Sequence, residues 1–182
     1  ALVSQIIQVE KQYAVAIETV LANATQHIVV DTPETAVDAI NFLKQNNGGR
    51  ATFIPLSSIS PKSVHEQHIV VAQTQKGFLG VASELVTAEK QYDVLRKFLL
   101  GNILVCDTIE NANKLSKLLE KRYMVVTLDG DVVRPGGVMS GGQASQNISI
   151  FGIEDQLKQL EELITPLEQN INLLRDKISK LE

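Results

Sequence analysis

The chain repeats itself, and that repetition restricts the folds open to it more than any other feature. Residues 4–13 are echoed by residues 83–92, with Glu10, Lys11, Gln12 and Tyr13 answered by Glu89, Lys90, Gln91 and Tyr92. The match continues through Leu21, Ala22 and Asn23 against Leu100, Gly101 and Asn102. Residues 30–36 then answer 106–112, sharing an Asp-Thr pair, and residues 50–56 align with 122–128. Order is kept with short gaps, so two copies of one supersecondary unit are expected.

Each copy reads helix, strand, helix, strand. In the first, Tyr13, Ile17, Val20 and Leu21 share a helical face, and residues 27–30 form a short buried-type strand. Thr32 is placed to cap the next helix, with Pro33 at its first position and Glu34 at the positive end of its dipole. Ala36, Ala39, Ile40 and Leu43 give the helical period, residues 46–49 end it, and residues 51–56 are the second strand. The second copy repeats this with a strand over 103–106, a helix carrying Ala112, Leu115 and Leu119, and a strand over 123–128. Strand-helix-strand units of this length favour parallel pairing. The expected division is residues 1–60 and 80–147 as two subdomains, 61–79 as a linker and 148–182 as the start of an arm. Residues 57–76 read as loop apart from the apolar run Ile69, Val70, Val71, Ala72, and residues 143–147 read as polar loop.

Asp129-Gly130 is a hairpin signal that sends Asp131, Val132 and Val133 back antiparallel. Two glycine pairs follow, Gly136-Gly137 and Gly141-Gly142, around Val138, Met139 and Ser140. Glycine weakens a strand, so this density needs a reason: positive φ in turns, close approach of another backbone, or a phosphate-cradling loop. Gly136 and Gly141 have P-loop spacing, but Gly142-Gln143 stands where Lys-Ser/Thr is required. Close approach of another protein chain is the preferred reading.

From Ile153 the pattern changes. Leu157, Ile164, Ile171 and Ile178 alternate with Leu160, Leu167, Leu174 and Leu181 at spacings of three and four. That narrow seam predicts a coiled coil. Pro166 lies inside it and is expected to kink or restart the helix, with Thr165 and Glu168 as a capping box. No matching heptads precede Ser4, so the other helix is expected outside this stretch. The chain starts at Ala1 and ends in mid-heptad, as a piece of something longer would.

Composition narrows the function classes. A net charge of −4 argues against coating nucleic acid by bulk charge, though not against a local basic patch. Aromatics are 4% with no tryptophan, so base-stacking platforms are not conspicuous. A single cysteine, Cys106, permits no internal disulfide and fits a reducing, cytoplasmic compartment. No apolar run approaches the roughly 18 residues that span a bilayer, so no membrane partner is expected.

Other constellations have plainer readings. His65, Glu66, Gln67 and His68 lack the zinc-protease spacing and read as a solvated loop. Cys106 reads as a small buried apolar residue. The Asp31-Thr32 and Asp107-Thr108 pairs sit where α/β folds place ligands, but helix capping explains them. Asp129 and Asp131 form a carboxylate pair without an acid/base partner. Basic residues gather in the second copy: Lys90, Arg96, Lys97, Lys114, Lys117, Lys121, Arg122 and Arg134. Lys114, Lys117 and Lys121 share one helix face, either as a solvated face or as a weak phosphate-contacting patch.

The duplicated α/β unit, glycine-flanked hairpin and departing heptads together resemble the hinge domain of the structural maintenance of chromosomes (SMC) family, in its bacterial form. The specific stretches are residues 49–56, 77–82, 100–102 and 126–131, the last leading into Gly136-Gly137 and Ser140-Gly141-Gly142. Ala22 departs from the pattern, standing where Gly101 stands in the second copy. The resemblance implies a mixed α/β fold of two similar subdomains with small sheets and flanking helices, plus a coiled-coil arm. It implies a homodimer paired through Gly136, Gly137, Val138, Met139, Ser140, Gly141 and Gly142, with the arm helix coiled against an N-terminal arm helix of the same protein. Distant ATPase heads, entrapment of DNA, condensin-like chromosome condensation and segregation, and a nucleoid location are implied for the parent protein. Weak, sequence-independent DNA contact through Lys90, Lys97, Lys114, Lys117, Lys121 and Arg122 is the secondary expectation. No catalytic group, metal or cofactor is expected in this chain. The competing reading is a small α/β ligand-binding domain or enzyme using the Asp-Thr strand ends.

Overall fold

The computed structural model describes residues 1–143 and 150–181. The first unit contains α1 (Val3–Ile6), β1 (Gln8–Val9), α2 (Ala14–Leu21), β2 (Ile28–Val30), α3 (Pro33–Gln45) and β3 (Phe53–Pro55). Next come α4 (Glu66–Gln73), β4 (Phe78–Val81), β5 (Val86–Thr87), α5 (Asp93–Leu100), β6 (Ile103–Cys106), α6 (Ile109–Leu118), β7 (Met124–Thr127), β8 (Val132–Val133) and β9 (Met139–Ser140). The long α7 (Ile150–Leu181) follows. The polar loop expected over 143–147, and the subdomain boundary at 147, lie outside the described residues from 144 onward.

Both Asp-Thr pairs start helices. The Thr32 hydroxyl accepts the Thr35 amide at 3.3 Å with Pro33 in the first turn of α3, and Thr108 accepts the Asn111 amide at 3.2 Å at the start of α6. Each cap satisfies an amide that the helix leaves without a partner. The strands that precede these helices pair in parallel with those that follow: β2 with β3, and β6 with β7. The helical crossover between them leaves the parallel arrangement open.

A five-stranded sheet, ordered β4-β6-β7-β8-β9, organises the second unit. Only β6 and β7 are parallel in it. The pleat sends Ile103, Val105, Val126 and Val132 into one core and Leu104, Cys106, Val125 and Val133 into another. The first core also takes Val3 and Ile6 of α1, Ile17 of α2, Leu95 and Leu100 of α5, and Val29 and Ile54 of the first unit's sheet. The second is closed by Ala72 of α4 and Ala112 and Leu115 of α6. With apolar layers on both faces, β6 reads as four buried residues in a row rather than an alternating pattern. A short antiparallel ribbon ties the copies together: β1 pairs β5 with Gln8 opposite Thr87, which are equivalent positions of the repeat. The copies therefore face each other across a local pseudo-two-fold axis.

Two expectations change. The stretch 61–79, expected as linker and mostly loop, carries α4 and the first residues of β4. The β-branched run there resembles a strand. It winds as helix because Ile69 and Ala72 reach the second core and the His65 imidazole accepts the Gln67 amide at 3.3 Å as a cap. Pro166 does not break α7, which runs unbroken from Ile150 to Leu181. Proline deletes one ladder hydrogen bond, and the rest of the ladder carries the helix past it. Along α7 the seam lies open among the described residues: Leu157, Leu160, Ile164, Leu167, Ile171, Leu174 and Ile178 are half exposed or more, and Leu181 is 88% exposed.

Candidate functional site

β9 is the outer strand of the five-stranded sheet, paired on its inner side with Val132 opposite Ser140 and Val133 opposite Met139. Its outer edge meets no strand among the described residues. Val138 is 66% exposed and Met139 49%, so the edge presents apolar side chains as well as unpaired backbone groups.

The loop into β9 is a tight one. The Arg134 amide donates to the Val138 carbonyl at 2.7 Å and the Gly137 amide to the Arg134 carbonyl at 2.9 Å. Gly136 and Gly137 hold φ of +90° and +98°, which a side chain resists. The loop rests on the end of α6: the Gly136 amide donates to the Lys121 carbonyl at 2.9 Å, and the aliphatic stem of Lys121 lies over Gly137. Glu120 and Lys121 are both left-handed, at φ 60° and 55°, in a turn closed by the Lys121 amide on the Ser116 carbonyl at 2.8 Å. Gly141 has a different cause. A Cβ there would collide with the Asp131 carboxylate, which crosses over Gly141 to accept the Gly142 amide at 3.1 Å. Positive φ at Gly136, Gly137 and Gly142 and the Asp131 carboxylate over Gly141 thus give these glycines reasons within the chain, beside the approach of a second chain that the sequence suggests. A shallow hollow of about 260 Å³ beneath the strand is lined by Ile109, Asp131, Met139, Ser140, Gly141 and Gly142.

The basic residues do not form one patch. Lys114, Lys117, Lys121 and Arg122 are exposed on α6 and the turn after it, over the second core. Lys90 and Lys97 are exposed on and just before α5, which packs against the first core on the opposite face of the sheet. Lys121 is the residue that brings the basic group and the glycine loop into contact.

Asp107, His65 and His68 are engaged locally. Asp107 accepts from the Asn111 side chain at 2.8 Å and the Thr108 amide at 2.7 Å, which hold its carboxyl below the usual carboxylate range. Burial, reinforced by the Asp107 charge, pushes the neighbouring Cys106 thiol up to about 12, so it stays protonated and unreactive at neutral pH. The Tyr123 hydroxyl accepts the His65 amide at 3.1 Å and lies 2.7 Å from Nδ1 of His68.

The root of α7 is held by two residues that the heptad pattern did not mark, one of its own and one of α2. Phe151 is buried in the first core, and its amide donates to the Glu18 carboxylate of α2 at 2.8 Å. A carboxylate there satisfies a first-turn amide and complements the positive end of the helix dipole. The signal in the sequence was an aromatic just ahead of an otherwise aliphatic seam. Beside this root, a groove of about 610 Å³ opens between α1, β1, β5 and α7, and none of the Asp-Thr residues lines it.

The family profile described as SMC proteins Flexible Hinge Domain matches residues 1–116. The chain belongs to the SMC hinge family. Solved hinges extend the match past residue 116, over nearly the whole chain. The hinge of Geobacillus stearothermophilus SMC, crystallised as an asymmetric dimer, superposes with a TM-score of 0.82 at 41% identity, over 94% of this chain and 69% of that one. A Pyrococcus furiosus Smc hinge with an extended coiled coil gives 0.65 at 25% identity, over 100% of this chain and 64% of that one. The chromosome partition protein Smc of Mesomycoplasma hyorhinis is 44% identical over 176 residues, and that of Bacillus subtilis strain 168 is 42% identical over 181. This hinge spans 18% and 15% of the lengths of those two relatives.

Proposed function

We propose that this hinge joins two copies of its parent protein by pairing β9 edge to edge with the other copy. The open edge of β9 carries the reading, because an edge strand with free N–H and C=O groups and exposed Val138 and Met139 is a template for another chain. A two-fold pairing would be self-complementary. The outer edge of β3 likewise meets no strand among the described residues, so two contacts would close a ring and bind more tightly than one. The asymmetric dimer formed by the Geobacillus stearothermophilus hinge supports the same reading.

In the parent protein, a chromosome-partition ATPase with its heads outside this chain, the hinge would bring two arms together around DNA in the cytoplasm. The exposed seam of α7 would be covered by a second helix from elsewhere in the same protein, the pairing that its heptads specify. Lys114, Lys117, Lys121 and Arg122 would contact phosphates without reading bases. Sizing by light scattering tests the central claim. A dimer at micromolar concentration is expected, and a wild-type monomer at that concentration would end the reading.

A further inference from the structure

The glycine strand needs more than glycine to stay in a pairing shape, since a two-residue strand at a sheet edge has little to hold it. One end of β9 is fixed by the Lys121 carbonyl through Gly136. At the other end, among the described residues, the Asp131 side chain holds the exit. We infer that Asp131 is a positioning residue of the pairing interface, clamping the exit of β9 so that its outer edge is presented straight. The inference rests on the dimer reading given above.

The geometry supports each step. The Asp131 amide donates to the Thr127 hydroxyl at 3.1 Å, and the Asp131 carbonyl accepts the Thr127 amide at 2.9 Å. Thr127 is 1% exposed, so Asp131 projects from an anchored base. The turn beneath it is wedged as well: Gly130, at φ +87°, packs so closely on α2 that a Cβ would stand 2.9 Å from the Thr19 hydroxyl and 3.1 Å from a Val15 methyl. The ladder of β8 and β9, continued by one pair, sets Asp131 opposite Gly141. Because Gly141 has no side chain, the carboxylate passes over it and reaches the Gly142 amide at 3.1 Å. Gly141 and Asp131 thus form one device, and neither works with an ordinary partner in the other place. A charged acceptor strengthens such a bond relative to a neutral one.

The test uses the whole chain and four variants: Asp131→Ala, Asp131→Asn, Gly141→Ala and the Asp131→Ala/Gly141→Ala pair. Sedimentation equilibrium reads the dimer constant, thermal melting reads the fold, and amide exchange at Gly142 reads the clamp itself. Asp131→Ala is expected to weaken the dimer about tenfold or more, to speed Gly142 exchange and to leave the melting curve nearly in place. Asp131→Asn, which keeps an acceptor oxygen, should recover most of the affinity. Gly141→Ala should weaken the dimer, and the pair should be little worse than Asp131→Ala alone, because the collision is gone. Unchanged affinity and exchange in Asp131→Ala would overturn the clamp. Equal losses in Asp131→Ala and Asp131→Asn with a lowered melting point would reduce it to a general structural residue. A monomeric wild type would instead overturn the dimer reading, and the claim that Asp131 sets pairing falls with it, leaving Gly142 exchange to report the intrachain bond alone.

Discussion

Ala22 and Gly101 occupy the same place in the repeat for opposite reasons. Ala22 holds φ 48° and ψ −126°, a region that suits glycine and strains a residue with a Cβ. Gly101 has an ordinary helical backbone, but a Cβ there would run into the Lys62 carbonyl, whose strand of chain hydrogen-bonds back to Lys97 at 3.2 Å. Ala22→Gly should therefore raise stability by about 1 kcal/mol, the relief of strain outweighing the extra freedom of the unfolded chain. Gly101→Ala should lower it by about 2 kcal/mol. Urea unfolding of the two variants measures both, and a destabilised Ala22→Gly would contradict the strain. The departure at position 22 was visible in the sequence. Its conformational cause was not, because backbone dihedrals are decided by what the turn must connect.

At the level of elements, periodicity identified α3, α6 and α7 because one apolar face repeats at helical spacing. It missed α4, where four apolar residues in a row, Ile69, Val70, Val71 and Ala72, mark no face in the sequence: Val70 is 58% exposed while Ala72 is fully buried. Only the second core and the His65 cap select the helix there. The same holds at the root of α7, where Phe151 and Glu18 come from segments far apart in sequence. Phe151→Ala should cost about 3 kcal/mol through the cavity it leaves. It should also speed amide exchange in the first turn of α7 while leaving the middle of the helix unaffected. An unchanged first turn would show that the arm is held by something other than this residue.

Across the whole molecule the sheet decides which surfaces can act together. Its two apolar faces place α5 on one side and α6 on the other, so the basic residues of the second copy are divided between them. Changing Lys114, Lys117 and Lys121 together to Glu should weaken DNA binding at low salt and lower the slope of log affinity against log salt by about 2 to 3. Lys90→Glu with Lys97→Glu should change that slope much less. Fluorescence anisotropy across a salt series, with dimer mass followed alongside because Lys121 also supports Gly137, checks both. Equal effects from the two groups would mean that DNA wraps the sheet rather than meeting the end of α6.

From sequence alone came the duplication, the hairpin at Asp129-Gly130, the two threonine caps and the heptad seam, all of which depend on interactions within about one turn or one repeat of chain. Tertiary structure alone decided the rest. The antiparallel ribbon of β1 and β5, the β9 edge, the split of the lysines and the reach of Asp131 over Gly141 arise where distant segments meet across a shared sheet. Local chemistry shapes each piece, but which side chain passes over a bare glycine depends on strand register, and that is settled only when both cores close.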